Sequence, residues 1–313
     1  MTNGTISDNT ATNGGGVYFD ANNTFEISGG TISGNTANNN GGGVYFEGDT
    51  FEMSGSTISG NTATNGGGVY AQGIGVGSKF TISGGTLTDN YATEYGGGVY
   101  CSIGMLSTLT LEGCTVSGNT AKYGGGVRVG GDGTLTLEDG TVSGNTATSN
   151  GGGVYIDGSK FIMNGGTISG NTATNGGGGV YSSYGGKPTM NGGTISGNMA
   201  WNGGGVYMYG NNNFTMNGGT ISGDRTFFGS GVHVNDSNGT FTMNGGYLGE
   251  DIENNGTVSI SGGYFAEEFD TAYLAENCAA HDISAFGTAL DSDYIAGLWN
   301  IQIIPERFTG RSK

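Results

Sequence analysis

The chain has 313 residues, 70 of them Gly and only 2 Pro, and its 9 basic against 26 acidic residues give a formal charge of −17. The glycines have no three-residue period, which excludes collagen, and a hydrophobic fraction of 34% argues against a low-complexity disordered chain. A surface of this sign repels phosphate and so excludes nucleic acid as a partner, while cationic partners and divalent ions stay compatible with it.

From its first residues the chain repeats itself. A T-I-S segment places an apolar residue at Ile6, Ile32, Ile58, Leu87, Val116, Val142, Ile168, Ile195, Ile221 and Leu248, in steps of 26 to 29 residues. A period of that size marks a solenoid. Each unit adds two further short segments, G-V-Y-x and F-T-M, the latter as in Phe214 to Met216. Alternation over three or four residues is strand periodicity, and no window sustains a helical period. Apolar positions then point inward and their neighbours outward. Glycine and asparagine between the segments suit corners with positive φ. The expected fold is all-β, a right-handed parallel β-helix of about ten three-strand turns over residues 1–265, the hand resting on the general bias of parallel crossovers together with the family resemblance described below. At ~4.8 Å per turn such a rod is about 50 Å long.

The asparagine after T-I-S-G recurs as Asn9, Asn35, Asn61, Asn90, Asn119, Asn145, Asn171 and Asn198. One amide per turn at one corner is expected to form a column of hydrogen bonds along the rod, a structural role and not a catalytic one.

Past residue 249 the repeat shortens to a last strand pair around Val258 and Ile260. From Phe265 the stretch FAEEFDTAYLAENCAAH reads as a short amphipathic helix, with positions 265, 269 and 273 on one face, and GLWNIQII follows as an apolar strand. A solenoid end leaves strand edges and core open, so residues 266–313 are expected to form a C-terminal cap. The chain shows no signal peptide, long apolar run or lipidation motif, so no membrane insertion by this segment is expected. Because it starts in the middle of a repeat, it reads as a piece of a longer protein.

The pairing of I-S-G-N with G-G-V-Y resembles the repeat of the chlamydial-type polymorphic outer-membrane proteins. Ile32 to Asn35 lead to Gly42 to Tyr45, Ile58 to Asn61 to Gly67 to Tyr70, and Ile168 to Asn171 to Gly178 to Tyr181. The likeness covers most of residues 1–235. It departs from the family in having Ile, Leu or Val for phenylalanine and in showing no membrane-inserting barrel. The resemblance implies a right-handed β-helix displayed on a bacterial surface or secreted, often as an adhesin passenger.

Sites of chemistry are sparse. His233 and His281 cannot form a multi-histidine metal site, no G-x-S-x-G elbow occurs, and no cofactor or metal is expected. GIGVG at Gly73 to Gly77 lacks a following helix and reads as a turn insertion. GGDGTLTLE from Gly130 has Leu135 where a calcium-binding nonapeptide needs a carboxylate. Cys101, Cys114 and Cys278 have no metal spacing, and the first two read as small buried residues. Glu26 with Glu52, and Glu112 with Glu138, occupy equivalent positions on adjacent turns, close to the ~5–5.5 Å carboxyl separation of retaining glycosidases. Repetition alone also produces such pairs.

Two outward columns are more suggestive. Tyr18, Tyr45, Tyr70, Tyr100, Arg128, Tyr155, Tyr181, Tyr207 and His233 recur one per turn, and a row of aromatic faces suits sugar rings or a protein partner. Cross-strand stacking would equally explain them. Thr31 with Ser33, Thr57 with Ser59, Thr86 with Thr88 and Thr167 with Ser169 form a hydroxyl array like that of ice-binding β-helices, or simply a β-compatible exposed face. The expectation is a non-enzymatic extracellular adhesin or stalk that attaches to a host cell-surface protein or glycan. The alternative is a polysaccharide-binding or polysaccharide-degrading β-helix, and a minor one is ice binding.

Overall fold

The stretch from Thr141 to Met163 is one turn, and it shows what each segment does. It holds four strands, Thr141–Ser143, Thr146–Asn150, Val154–Asp157 and Lys160–Met163. Each pairs in parallel with its counterpart one turn on, Thr141 with Thr167, Ala147 with Ala173, Val154 with Val180 and Lys160 with Lys187. The computed structural model describes residues 1–20, 24–73, 75–227, 231–249, 251–265, 278–282 and 299–303. Within them the four strand types build sheets of 13, 9, 10 and 10 strands, here called the T-I-S, T-A, V-Y and F-T-M sheets. The nine-stranded T-A sheet counts nine complete turns.

The turn therefore has four strands where three were expected. The additional one is the T-A segment, as short as Thr36–Ala37 or Thr172–Ala173. Two residues are too few to display alternation. Its signature is a column of small inward residues, Ala37, Ala63, Ala92, Ala121, Ala147, Ala173 and Ala200, all buried.

The core is a set of columns running the length of the rod. The T-I-S sheet contributes Ile32, Ile58, Leu87, Val116, Val142 and Ile168, and the F-T-M sheet Met163, Met190, Met216 and Met243, each at most 1% exposed. Full burial of such a side chain contributes roughly 1.5–3 kcal/mol, and here nearly all of it is realised against the turns above and below.

The glycine run ahead of the V-Y strand is required position by position. Gly151 has φ +69, in the left-handed region. A β-carbon on Gly152 would lie 2.5 Å from the Gly178 carbonyl oxygen and 2.6 Å from that of Thr172. One on Gly153 would meet the Gly179 oxygen at 2.7 Å and the Asn171 amide nitrogen at 3.0 Å. The backbone hydrogen bonds Gly152 N to Gly177 O and Gly153 N to Gly178 O, both 3.0 Å, hold successive turns at this closest approach.

At the far end Trp299–Ile303 forms the expected apolar strand, antiparallel to both Gly263–Phe265 and Cys278–Asp282. Cys278 to His281, expected at the end of a helix, are strand. The open edge at Gly263–Phe265 presents N–H and C=O groups that another strand satisfies and a helix cannot. The rest of the expected helix, residues 266–277, lies outside the described residues, which contain no helix long and apolar enough to cross a membrane.

Candidate functional site

From Asn35 to Asn198 the asparagine column is enclosed. Asn145 Oδ1 accepts from the Asn119 backbone N–H at 3.0 Å and from Asn119 Nδ2 at 2.9 Å. Its own Nδ2 donates to Val116 O and to Asn171 Oδ1, both at 2.9 Å. The same four bonds recur up the rod, and Asn35, Asn61, Asn119, Asn145, Asn171 and Asn198 are 0% exposed. Asn9, on the first turn, is exposed and donates to Asn35. At the other end the column closes on Asp224, which accepts from Asn198 N at 2.8 Å and Nδ2 at 2.9 Å. The sequence signal for that residue was I-S-G-D in place of I-S-G-N. Amides committed in this way have no donor or acceptor left for a ligand, so the column ties turns together.

The tyrosine column leaves the V-Y sheet on its outer side, yet most of it is covered. Tyr45, Tyr70, Tyr155 and Tyr181 are no more than 9% exposed, Tyr100 and Tyr207 are half-buried, and Tyr18 on the first turn is 54% exposed. Ring centroids follow one another at 4.8 Å from Tyr18 to Tyr45, 5.2 Å to Tyr70, 4.8 Å from Tyr155 to Tyr181 and 5.4 Å to Tyr207, with planes within 20°. Rings at the end of the T-A strands close over them, Tyr95 on Tyr100 and Tyr123 on Tyr155, each at 5.8 Å. Of the two arrangements the sequence leaves open, a row of open faces or cross-strand stacking, Tyr45 on Tyr70 and Tyr155 to Tyr207 show stacking, while Tyr18 keeps an exposed ring. Alternation tells which side of a strand a residue leaves from, and nothing about what folds over it.

Arg128 fits this column without a ring. Its guanidinium carbon lies 4.2 Å from the Tyr95 centroid, 4.8 Å from Tyr100 and 5.6 Å from Tyr155, and it forms an ion pair with Asp157. Cation–π contact replaces stacking, and the carboxylate offsets the burial of the charge. His233 ends the run edge-on to Tyr207, 3.2 Å from the Glu253 carboxylate, and burial lowers its pKa.

Burial pushes the ladder hydroxyls up, to about 12 for Tyr70 and for Tyr207. Tyr45, which also donates to Glu47 at 2.6 Å, and Tyr181 are raised further. Because the folded values exceed the ordinary 10.0, the unfolded chain loses these protons first as pH rises. Their contribution to stability is fully present below pH 10 and is lost progressively above it. Tyrosinate absorbance of the folded chain is expected to show these hydroxyls ionising only above pH 10, with the melting temperature falling over the same range. Ionisation of all the tyrosines at one ordinary value, with the fold intact, would contradict the covered ladder.

The acidic pairs are divided. Glu26 and Glu52 are direct partners on adjacent strands and both are exposed. Glu138 follows Leu137, the partner of Leu111, so it continues the register next to Glu112. Its carboxylate accepts from Asn164 Nδ2 at 3.1 and 3.3 Å. That bond starts a second, exposed amide ladder, in which Asn191 donates to Asn164, Asn217 to Asn191 and Asn244 to Asn217 at 2.8–2.9 Å. M-N-G-G marks this ladder in the sequence, where the same letters read equally well as a turn. Among the described residues no three His, Cys, Asp or Glu converge as metal ligands. Cys101 and Cys114 are buried, and burial raises both thiols, that of Cys114 to about 11. Gly73 to Gly77 span the corner from Val69–Gly73 to Lys79–Ser83, and no helix follows. The T-x-S hydroxyls stand in register, Thr31 on Thr57 and Ser33 on Ser59, half-buried along one continuous sheet.

This arrangement is that of the right-handed β-helix family. The family model for the right-handed β-helix region matches residues 1–141 and 107–278, and the chain belongs to that family. No curated protein and no solved structure is matched by the chain.

Proposed function

We propose that this chain is an extracellular, non-enzymatic β-helix of a bacterial surface or secreted protein, which holds and forms an adhesive surface for a host protein or glycan. The observation that supports it is the continuous parallel register of the T-I-S sheet. Nine successive T-I-S strands, from Thr5–Ser7 to Thr220–Ser222, carry the same outward Thr and Ser or Thr in register, so weak contacts to a repetitive partner add up along the rod. The likeness of the I-S-G-N and G-G-V-Y elements to polymorphic outer-membrane repeats supports the same reading, although those residues serve packing here. Beads coated with the chain are expected to be held under flow on mucin-coated or epithelial-cell surfaces several-fold more than beads coated with an unrelated acidic protein. Soluble chain should compete. Equal retention of both kinds of bead overturns the attachment reading.

A second reading, cleavage of a polysaccharide, is favoured by the exposed Glu26–Glu52 pair. Its rung spacing of ~4.8 Å is close to the ~5–5.5 Å between the carboxyl groups of retaining glycosidases.

A further inference from the structure

At the corner between the V-Y and F-T-M sheets, four successive turns place Gly131, Gly158, Tyr184 and Gly210 in the left-handed region, and only Tyr184 among them carries a side chain. Asp157, Ser183 and Tyr209 are partners in register, so the residues after them, Gly158, Tyr184 and Gly210, occupy the same place. Gly158 has φ +75 and Gly210 φ +81, and Tyr184 is held at φ +54. A residue with a β-carbon is disfavoured in that region. Tyr184 is 77% exposed, so no packing of its ring repays the strain. Tyr209, on the following turn, is 50% exposed.

A second departure lies three residues further on. Lys160 and Lys187 are direct partners on adjacent strands, both exposed, and among the described residues neither forms an ion pair. Like charges directly opposite one another are unfavourable. The same place holds Thr50, Thr108, Thr134 and Thr240 in other turns, and Lys79 there stands between two threonines, so only at Lys160 and Lys187 do two lysines face one another. The carboxylate of this corner, Asp157, is engaged by Arg128. Three successive turns thus carry two exposed rings and two stacked ammonium groups on a chain of net charge −17. Positions that break a local rule without a compensating contact point to function.

We propose that Tyr184, Tyr209, Lys160 and Lys187 form a binding site for an acidic glycan, one whose sugars carry carboxylate or sulfate groups. The proposal rests on the attachment reading above and gives it a place and a ligand chemistry. Exposed aromatic faces match the apolar faces of sugar rings, and two ammonium groups one rung apart match the anionic substituents of neighbouring sugars. At physiological salt the Debye length is about 8 Å, so the distant carboxylates of the rod are screened from the site. Asp132, on the preceding turn, is also exposed.

The test passes the full chain over heparin-agarose, polygalacturonate-agarose and neutral amylose resin. Retention is expected on at least one acidic resin and not on amylose, with release by salt. Heparin against polygalacturonate separates sulfate from carboxylate recognition. Tyr184→Gly is expected to weaken retention about tenfold while raising the melting temperature, because glycine relieves the backbone. Lys160→Thr with Lys187→Thr should abolish retention and leave the fold intact. A purely structural Tyr184 would lower the melting temperature when replaced and leave retention unchanged, which overturns the site. Retention on acidic resin that survives both variants overturns the site and leaves the attachment reading standing. If the wild-type chain is held by none of the three resins, the glycan site is wrong, and the bead experiment still decides attachment, including to a protein partner.

Discussion

Replacing Asn145 by alanine is expected to destabilise the rod by about 3–5 kcal/mol, since each buried polar group left without a partner costs about 1–3 kcal/mol. The substitution orphans the Asn119 backbone N–H and one hydrogen of its amide, and takes one donor each from the Val116 carbonyl oxygen and from Asn171. All of these sit in the closed interior beside columns that are at most 1% exposed, where no solvent replaces the lost partner. Asn145→Asp keeps the acceptor that serves Asn119 and loses both donations, placing a carboxylate against two oxygens. It should also destabilise, and more so as pH rises above the carboxyl range. Asn9→Ala removes only the Nδ2 donations of an exposed residue at the open end, to Ser7 O and Asn35 Oδ1, and is expected to cost less than about 1 kcal/mol. Urea unfolding of the three variants gives the comparison. Similar losses at Asn9 and Asn145 would mean that the interior amides are not what ties the turns together.

Gly152→Ala is expected to cost about 3 kcal/mol or more, at or above the upper end of the usual range for overpacking. The added carbon would meet the carbonyl oxygens of Gly178 and Thr172 at 2.5 and 2.6 Å, backbone atoms that cannot step aside without breaking the ladder between turns. Gly144→Ala provides the contrast. There φ is +62 but nothing lies within 4 Å of the new carbon, so only the backbone conformation resists, at about 1–2 kcal/mol. Melting temperatures of the two variants separate steric exclusion from φ preference. If Gly144→Ala proves the more damaging, the close approach of successive turns at Gly152 is wrong.

Much of this fold was legible because the repeat copies its own constraints. Ile168, Asn171 and Gly178 recur with their neighbours at a solenoid period, and each carries a distinct physical demand, namely an inward apolar column, a corner amide and a site with no room for a β-carbon. What was missed fails for stated reasons. Thr172–Ala173 is too short for alternation to register, so a fourth strand per turn went unseen. The covering of Tyr155 depends on Tyr123, which approaches from another sheet, and no pattern within the V-Y segment encodes that approach. The Asn164 to Asn244 ladder was hidden by its setting, because the same letters next to glycine read equally well as a turn. The candidate glycan corner was the least legible of all. Tyr184 looks like an ordinary loop residue until its register shows that it stands in a glycine's place, and Lys160 and Lys187 are 27 residues apart in sequence yet one rung apart in space.

The fold is shared by proteins that bind and proteins that cut, so a product assay on soluble polysaccharides tests the account most directly. The chain would be incubated with polygalacturonate, heparin and a neutral glucan, following new reducing ends and new carbon–carbon double bonds, beside Glu52→Gln. The account predicts no product above a protein-free blank from either protein, with any interaction appearing as retention alone. Chain ends released by the wild type and lost in Glu52→Gln would contradict it, and would make the Glu26–Glu52 pair the working centre of the molecule.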